Sequence, residues 1–130
     1  MNHQTIHAAN APAAVGPYCH AMLCGDTLYT SGQLGLIPET GVLPEGVVAQ
    51  AKQALDNLGA VLQAAGMDYS HVVKTTVFLA DINDFAAINE VYATYFTENP
   101  PARSCVQAGA LPKGGLFEIE AIAVDRKSVV

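Results

Sequence analysis

The sequence predicts an α+β fold: one β-sheet with two helices packed on a single face. Three observations carry this. Stretches with apolar residues at helical spacing alternate with stretches rich in β-branched residues, in the order strands, helix, strand, helix, strands. Two helices cover only one face of such a sheet, yet its strands carry apolar residues on both. Charged residues make up only 14% of the chain and hydrophobic ones 51%, against about 25% charged in ordinary soluble domains. The second face is therefore expected to lie against further copies of the chain. At 130 residues, one domain spanning 1–130 is expected.

In chain order, residues 4–8 are expected to form a short strand. Asn10 to Tyr18 is a loop punctuated by Pro12, Gly16 and Pro17. His20 to Cys24 and Thr27 to Thr30 read as strands around a Gly25-Asp26 turn. Ser31-Gly32-Gln33 follows, where the glycine permits either close approach of a ligand or a bulge. Pro44-Glu45-Gly46 introduces a helix over 46–65. Its apolar stripe is Val48, Ala51, Leu55, Leu58, Leu62 and Ala65, and Gly66 is its left-handed stop.

Val72 to Ala80 is rich in β-branched residues and reads as a long strand. Strict alternation puts Val73, Thr75, Val77 and Leu79 on one face and Val72, Lys74, Thr76 and Phe78 on the other. Asp81 to Asp84 caps a second helix with the stripe Phe85, Ile88, Val91, Tyr92 and Tyr95. Asn89 lies inside that helix, turned to a neighbour or to solvent. Asn99-Pro100-Pro101 ends it. A strand begins at Arg103, the last strand runs to about Asp125, and Arg126 to Val130 is a tail.

The chemistry concentrates in those last two strands, joined by the turn Gly109 to Gly115. Arg103 and Cys105 share one strand face, and Glu118 and Glu120 share another. The Glu face continues as Ile122 and Val124, so two carboxylates in apolar surroundings call for a partner. Arg103 is the natural one, as a structural pair or as part of a site. Lys74, Arg103, Cys105 and the Glu pair are then expected to line a cleft between subunits.

Other chemistries are disfavoured. A net charge of −6 argues against nucleic-acid partners. Cys19-His20 with Cys24 lacks a second ligand cluster, so no metal is expected. Three cysteines without a disulfide framework, no signal peptide and no membrane-spanning stretch suggest a cytoplasmic protein. Gly109 to Gly115 lacks the Lys-Ser/Thr ending of a phosphate loop, and there is neither GxGxxG nor GxSxG. Ser31 has no evident His–Asp relay. Cys105 beside a cation has the makings of a thiolate, although a small buried hydrophobe is the favoured reading.

Pro101-Ala102-Arg103-Ser104-Cys105-Val106, Leu111-Pro112-Lys113 and Glu118-Ile119-Glu120-Ala121 resemble the signature of the YjgF/RidA (reactive intermediate deaminase) family. Asn10-Ala11-Pro12, Gly16-Pro17-Tyr18, Thr30-Ser31-Gly32-Gln33, Leu55-Asp56-Asn57 and Val73 to Phe78 extend the likeness over nearly the whole chain. The resemblance implies a chorismate-mutase-like mixed sheet in a homotrimer with clefts between subunits. It implies cofactor-free hydrolysis of small 2-imino acids (2-iminobutanoate, 2-iminopropanoate), or enamines such as 2-aminoacrylate, to 2-keto acids and ammonia, a form of metabolite damage control. It makes Arg103 the carboxylate-binding residue and Glu118 the group that activates water. Tyr18, Ser31 and Asn89 become pocket residues, with the backbones of Gly32 and Cys105 lining the pocket. The alternatives are a trimeric ligand-binding or chaperone-like protein without chemistry, and an RNA-acting translation inhibitor.

Overall fold

A computed structural model describes residues 3–125; the expected tail, Arg126 to Val130, lies outside them. Seven strands, β1 (His3–Ile6), β2 (Ala21–Cys24), β3 (Thr27–Thr30), β4 (Gln33–Leu34), β5 (Val72–Leu79), β6 (Ala102–Gln107) and β7 (Phe117–Val124), form one mixed sheet. Helices α1 (Val47–Ala64) and α2 (Phe85–Tyr95) pack on it. The strand order is β1-β2-β3-β7-β5-β6, with β4 also paired to β7. β5 and β6 run parallel across the α2 crossover, and the other pairs are antiparallel.

The core lies between the helices and one sheet face. Ala51, Ala54, Leu55, Leu58, Val61 and Leu62 of α1 and Ile88 of α2 meet Leu28, Val77, Leu79, Phe117, Ile119 and Ala123. Val48, expected on the α1 stripe, is exposed; the stripe is centred on 51–62 and widened by Ala54 and Val61. Gly66 has a φ of 77° and closes the helix as expected. Two polar residues on one helical face, two turns apart, Gln50 and Asn57, are buried in α1. Asn57 Nδ2 donates to the carbonyls of Leu34 (3.0 Å) and Leu36 (2.9 Å). Gln50 Nε2 donates to Pro44 O, and its Oε1 accepts from the Leu116 amide at 2.8 Å. These bonds tie α1 to β4 and the residues that leave it, and to the residue that enters β7.

Two expectations about the strands are corrected. The register shifts between Val72 and Lys74, so Val72 joins the buried helix-side face with Thr75, Val77 and Leu79, while Val73 is only partly buried. The last two strands, expected to stand beside each other, are separated by β5, which pairs with both. The eight-residue β5 needs a neighbour on each edge, and the α2 crossover returns the chain parallel to it, on the side away from β7.

Candidate active site

The registers decide which side chains share a face. Arg103 pairs with Thr75 and Cys105 with Val77. Thr75 and Val77 in turn pair with Ala121 and Ile119, whose side chains face the helices. Arg103 and Cys105 therefore lie on the helix side. Glu118 and Glu120 pair with Phe78 and Thr76, on the opposite, uncovered face. Within one chain the expected Arg103–Glu pair does not form: a strand intervenes, and the side chains point to different faces. Lys74 shares the uncovered face with the Glu pair, where its Nζ approaches Ser104 Oγ at 3.4 Å.

The uncovered-face half is built around Glu118. Its cross-strand neighbours are Leu34 and Phe78, and both belong to a small apolar cluster with Leu36 and Leu111. Burial in that setting raises the Glu118 carboxyl above its ordinary value, and the nearby Glu120 carboxylate raises it further. Gly32 lies directly against Glu118: a Cβ there would sit 2.5 Å from Oε2. Tyr18, Gly32, Glu118 and the Pro12–Val15 loop line a common pocket. Tyr18 is exposed, and its hydroxyl accepts from the Val15 amide at 3.3 Å. Ser31 stands beside this pocket with its hydroxyl donated to Cys19 O at 2.7 Å. Its single proton is thus committed to the backbone, leaving its lone pairs as acceptors.

A residue the sequence did not single out for the site, His20, holds the pocket loop. It is buried; its Nδ1 accepts from the Ala8 amide at 2.9 Å, and its Nε2 donates to Pro12 O at 2.7 Å. Those bonds define one neutral tautomer.

The helix-side half is built around Arg103. Its Nη1 donates to Asn89 Oδ1 at 2.8 Å. Its Cζ lies 4.7 Å from the centre of the Tyr92 ring and 5.3 Å from that of Phe85. Phe85, Asn89 and Tyr92 are spaced i, i+4, i+7, so one face of α2 presents all three. Cys105 follows on the same strand face. Burial pushes its thiol up, against the opposing pull of Arg103, which disfavours a thiolate nucleophile. Among the described residues no cluster of His, Cys, Asp and Glu has the makings of a metal site.

Comparison with known proteins gives this geometry its setting. Residues 8–125 match the model of the family described as Endoribonuclease L-PSP. The chain belongs to this family, that of the YjgF/RidA proteins. The 2-iminobutanoate/2-iminopropanoate deaminase of Capra hircus is 60% identical over 120 residues, covering 92% of this chain and 88% of the relative. The protein of that name from Escherichia coli K12 is 51% identical, covering 95% and 98%. Among solved structures, RidA from an Antarctic Psychrobacter matches with a TM-score of 0.92 and 51% identity, covering 94% of this chain and 99% of that one. E. coli TdcF with bound serine matches with a TM-score of 0.91 and 45% identity, covering 94% and 98%.

Of the family positions, Tyr18, Gly32 and Glu118 come together with Ser31 adjacent, while Arg103, Asn89 and Cys105 form a second group. Tyr92 and Phe85 were legible only as members of an apolar stripe. Their spacing relative to Asn89 was the available signal.

Proposed function

We propose that this chain is an enamine/imine deaminase that hydrolyses small 2-imino acids to 2-keto acids and ammonia. The observation that carries the reading is an uncommitted cation and an uncommitted carboxyl, each fixed in a built environment. The curated relatives at 51% and 60% identity bear the name of this activity. The two groups lie on opposite sheet faces of one chain, so a site that uses both combines two copies. Arg103 comes from one copy; Tyr18, Ser31, Gly32 and Glu118 come from its neighbour. The uncovered face, with Tyr29 and Val106 exposed, and the outer strand β6 supply surface for such contacts. A homotrimer with three such clefts is the expected assembly.

In this cleft Arg103 takes the substrate carboxylate through a forked contact. Glu118 accepts a proton from a water as the water's oxygen bonds to the imine carbon, and the imine nitrogen takes up a second proton from solvent. Glu118 then returns its proton to the carbinolamine nitrogen. The C–N bond breaks, its electron pair leaving with ammonia, and the remaining hydroxyl returns a proton to solvent as it becomes the ketone of the 2-keto acid. The raised affinity of Glu118 for a proton suits both halves of that exchange. Tyr18 and the free lone pairs of Ser31 anchor the nitrogen. Imines hydrolyse unaided, so positioned acid–base help of roughly 10²–10⁴-fold suffices. Free thiols at Cys19, Cys24 and Cys105 suit a cytoplasmic setting.

The family description names an endoribonuclease, but a net charge of −6 is unsuited to phosphate-backbone binding. The deciding assay measures ammonia release from imines generated in place by an amino-acid oxidase, with light scattering for the assembly. A forked contact is worth roughly 1.5–3 kcal/mol, so Arg103→Ala should lower kcat/KM at least about tenfold with the oligomer intact. Wild-type rates in Arg103→Ala would remove the arginine from the reaction.

A further inference from the structure

Arg103 has an unusual partner set for an arginine on a sheet. Its one hydrogen-bond partner among the described residues is the neutral Asn89, and its cationic carbon lies within cation–π range of two rings. The two rings differ. Phe85 is 39% exposed and Tyr92 only 7%, and contacts of this kind strengthen when desolvated.

Tyr92 is also fixed at both ends. Its backbone belongs to α2, and its hydroxyl shares a 2.8 Å hydrogen bond with Thr75 Oγ1. Thr75 is fully buried on β5, and it is the register partner of Arg103 on β6. Helix, central strand and outer strand thus form a closed circuit: Thr75 holds the phenol, the ring meets the guanidinium, and the guanidinium springs from the strand beside Thr75. The ring restrains the guanidinium, while Asn89 takes one of its five donors. The other donors remain for a ligand.

We propose that Tyr92, tethered by Thr75, is the positioning residue that aims Arg103 at the substrate carboxylate. This rests on the deaminase reading above, in which Arg103 binds that carboxylate. A ring that merely fills the core would leave ligand affinity of the folded protein unchanged; a ring that aims the cation sets it.

The test measures calorimetric binding of 2-oxobutanoate, the keto acid formed from 2-iminobutanoate, together with KM and kcat from ammonia release. Tyr92→Leu should raise both Kd and KM roughly three- to thirtyfold, with kcat for the assembled protein within about threefold of wild type. Tyr92→Phe keeps the ring but loses the bond to Thr75, so it should fall between wild type and Tyr92→Leu, at the roughly threefold rise in Kd expected of Thr75→Val. Thr75→Val, close in shape and expected to fold, should raise Kd by roughly threefold by releasing the phenol; this variant decides the matter if Tyr92→Leu does not assemble. An unchanged Kd in Tyr92→Leu or Thr75→Val, or a fall in kcat at constant Kd, overturns the proposal. Arg103→Ala separates the two readings: if it loses 2-oxobutanoate while Tyr92→Leu does not, only the role of Tyr92 fails. If Arg103→Ala binds and turns over normally, the deaminase site itself fails.

Discussion

Two glycines three residues apart should respond to the same substitution in opposite ways. In Gly32→Ala the new Cβ lies 2.5 Å from Glu118 Oε2, 2.9 Å from Cδ and 3.1 Å from Cγ. Every one of these atoms belongs to a flexible side chain, so relief requires the carboxyl group to move by roughly 1 Å, at about 0.5–1.5 kcal/mol of rotamer strain. In Gly35→Ala the new Cβ lies 2.7 Å from Gln50 Cα and 2.8 Å from its carbonyl carbon. That is helix backbone, and relief means displacing α1 from the sheet, at roughly 1–3 kcal/mol or more. Near 4 °C per kcal/mol for a chain of this size, Gly32→Ala should melt within about 6 °C of wild type and Gly35→Ala clearly lower. The order of activity is reversed. A misplacement of about 1 Å at a reacting group costs on the order of 10² in rate, so Gly32→Ala should lose about two orders of magnitude in kcat/KM. Folded Gly35→Ala should keep most of its activity. Calorimetric melting at fixed protein concentration, paired with the ammonia-release assay, reads both quantities. Wild-type turnover by Gly32→Ala would refute the placement of Glu118 at the reacting centre. So would a loss matched by an equal loss of folded protein.

Glu118→Gln should separate activity from stability. The carboxyl has a folded-state value raised above 4.5, so it destabilises the fold as pH rises through that interval, and the deficit is complete above the raised value. The glutamine variant should therefore melt at or above the wild-type temperature at pH 7–8, with the advantage vanishing below about pH 4.5, while kcat falls by about 10² or more. An advantage that grows on acidification would contradict the sign. Asn57→Ala removes two donors from the Leu34 and Leu36 carbonyls at a buried position. Stranded buried acceptors cost roughly 2–4 kcal/mol together, and calorimetry should show a fall of about 8–15 °C.

Helix and strand positions were legible because apolar periodicity and turn chemistry agree along this chain. The α1 stripe, the Gly25 turn and the Gly66 stop are local features, written within a few residues. What was not legible is non-local. Nothing in the sequence near Arg103 says that β5 will stand between it and Glu118. Chain proximity suggests neighbours, while the α2 crossover sends the chain to the far side of β5. The bulge at Val73 leaves no mark in a run of β-branched residues, yet it turns Val72 to the core. The cradle of Arg103 was hidden for a different reason. Phe85 and Tyr92 satisfy the pattern of a core stripe, and one ring can fill a core and face a cation together. Gly32, read as a place for close approach of a ligand or for a bulge, lies against the Glu118 side chain, a neighbour far along the chain that its own surroundings do not name.

The separation of Arg103 from Glu118 has a chemical consequence that a pair within one chain would forfeit. Had the two met on one face, the guanidinium would favour the ionised carboxylate, and the carboxylate would occupy the donors needed for a substrate. Instead Arg103 is held by an amide oxygen and two rings, none of which neutralises its charge. Glu118 is flanked by Leu34 and Phe78, which raise its affinity for protons without supplying a counter-ion. Each group keeps the property that imine hydrolysis requires, a fork open to a carboxylate and a carboxyl ready to trade a proton. On the proposed assembly the two meet only across a subunit boundary, with the substrate between them. The substrate's own carboxylate then neutralises the arginine, so closing the site need not lower the Glu118 proton affinity that the reaction uses.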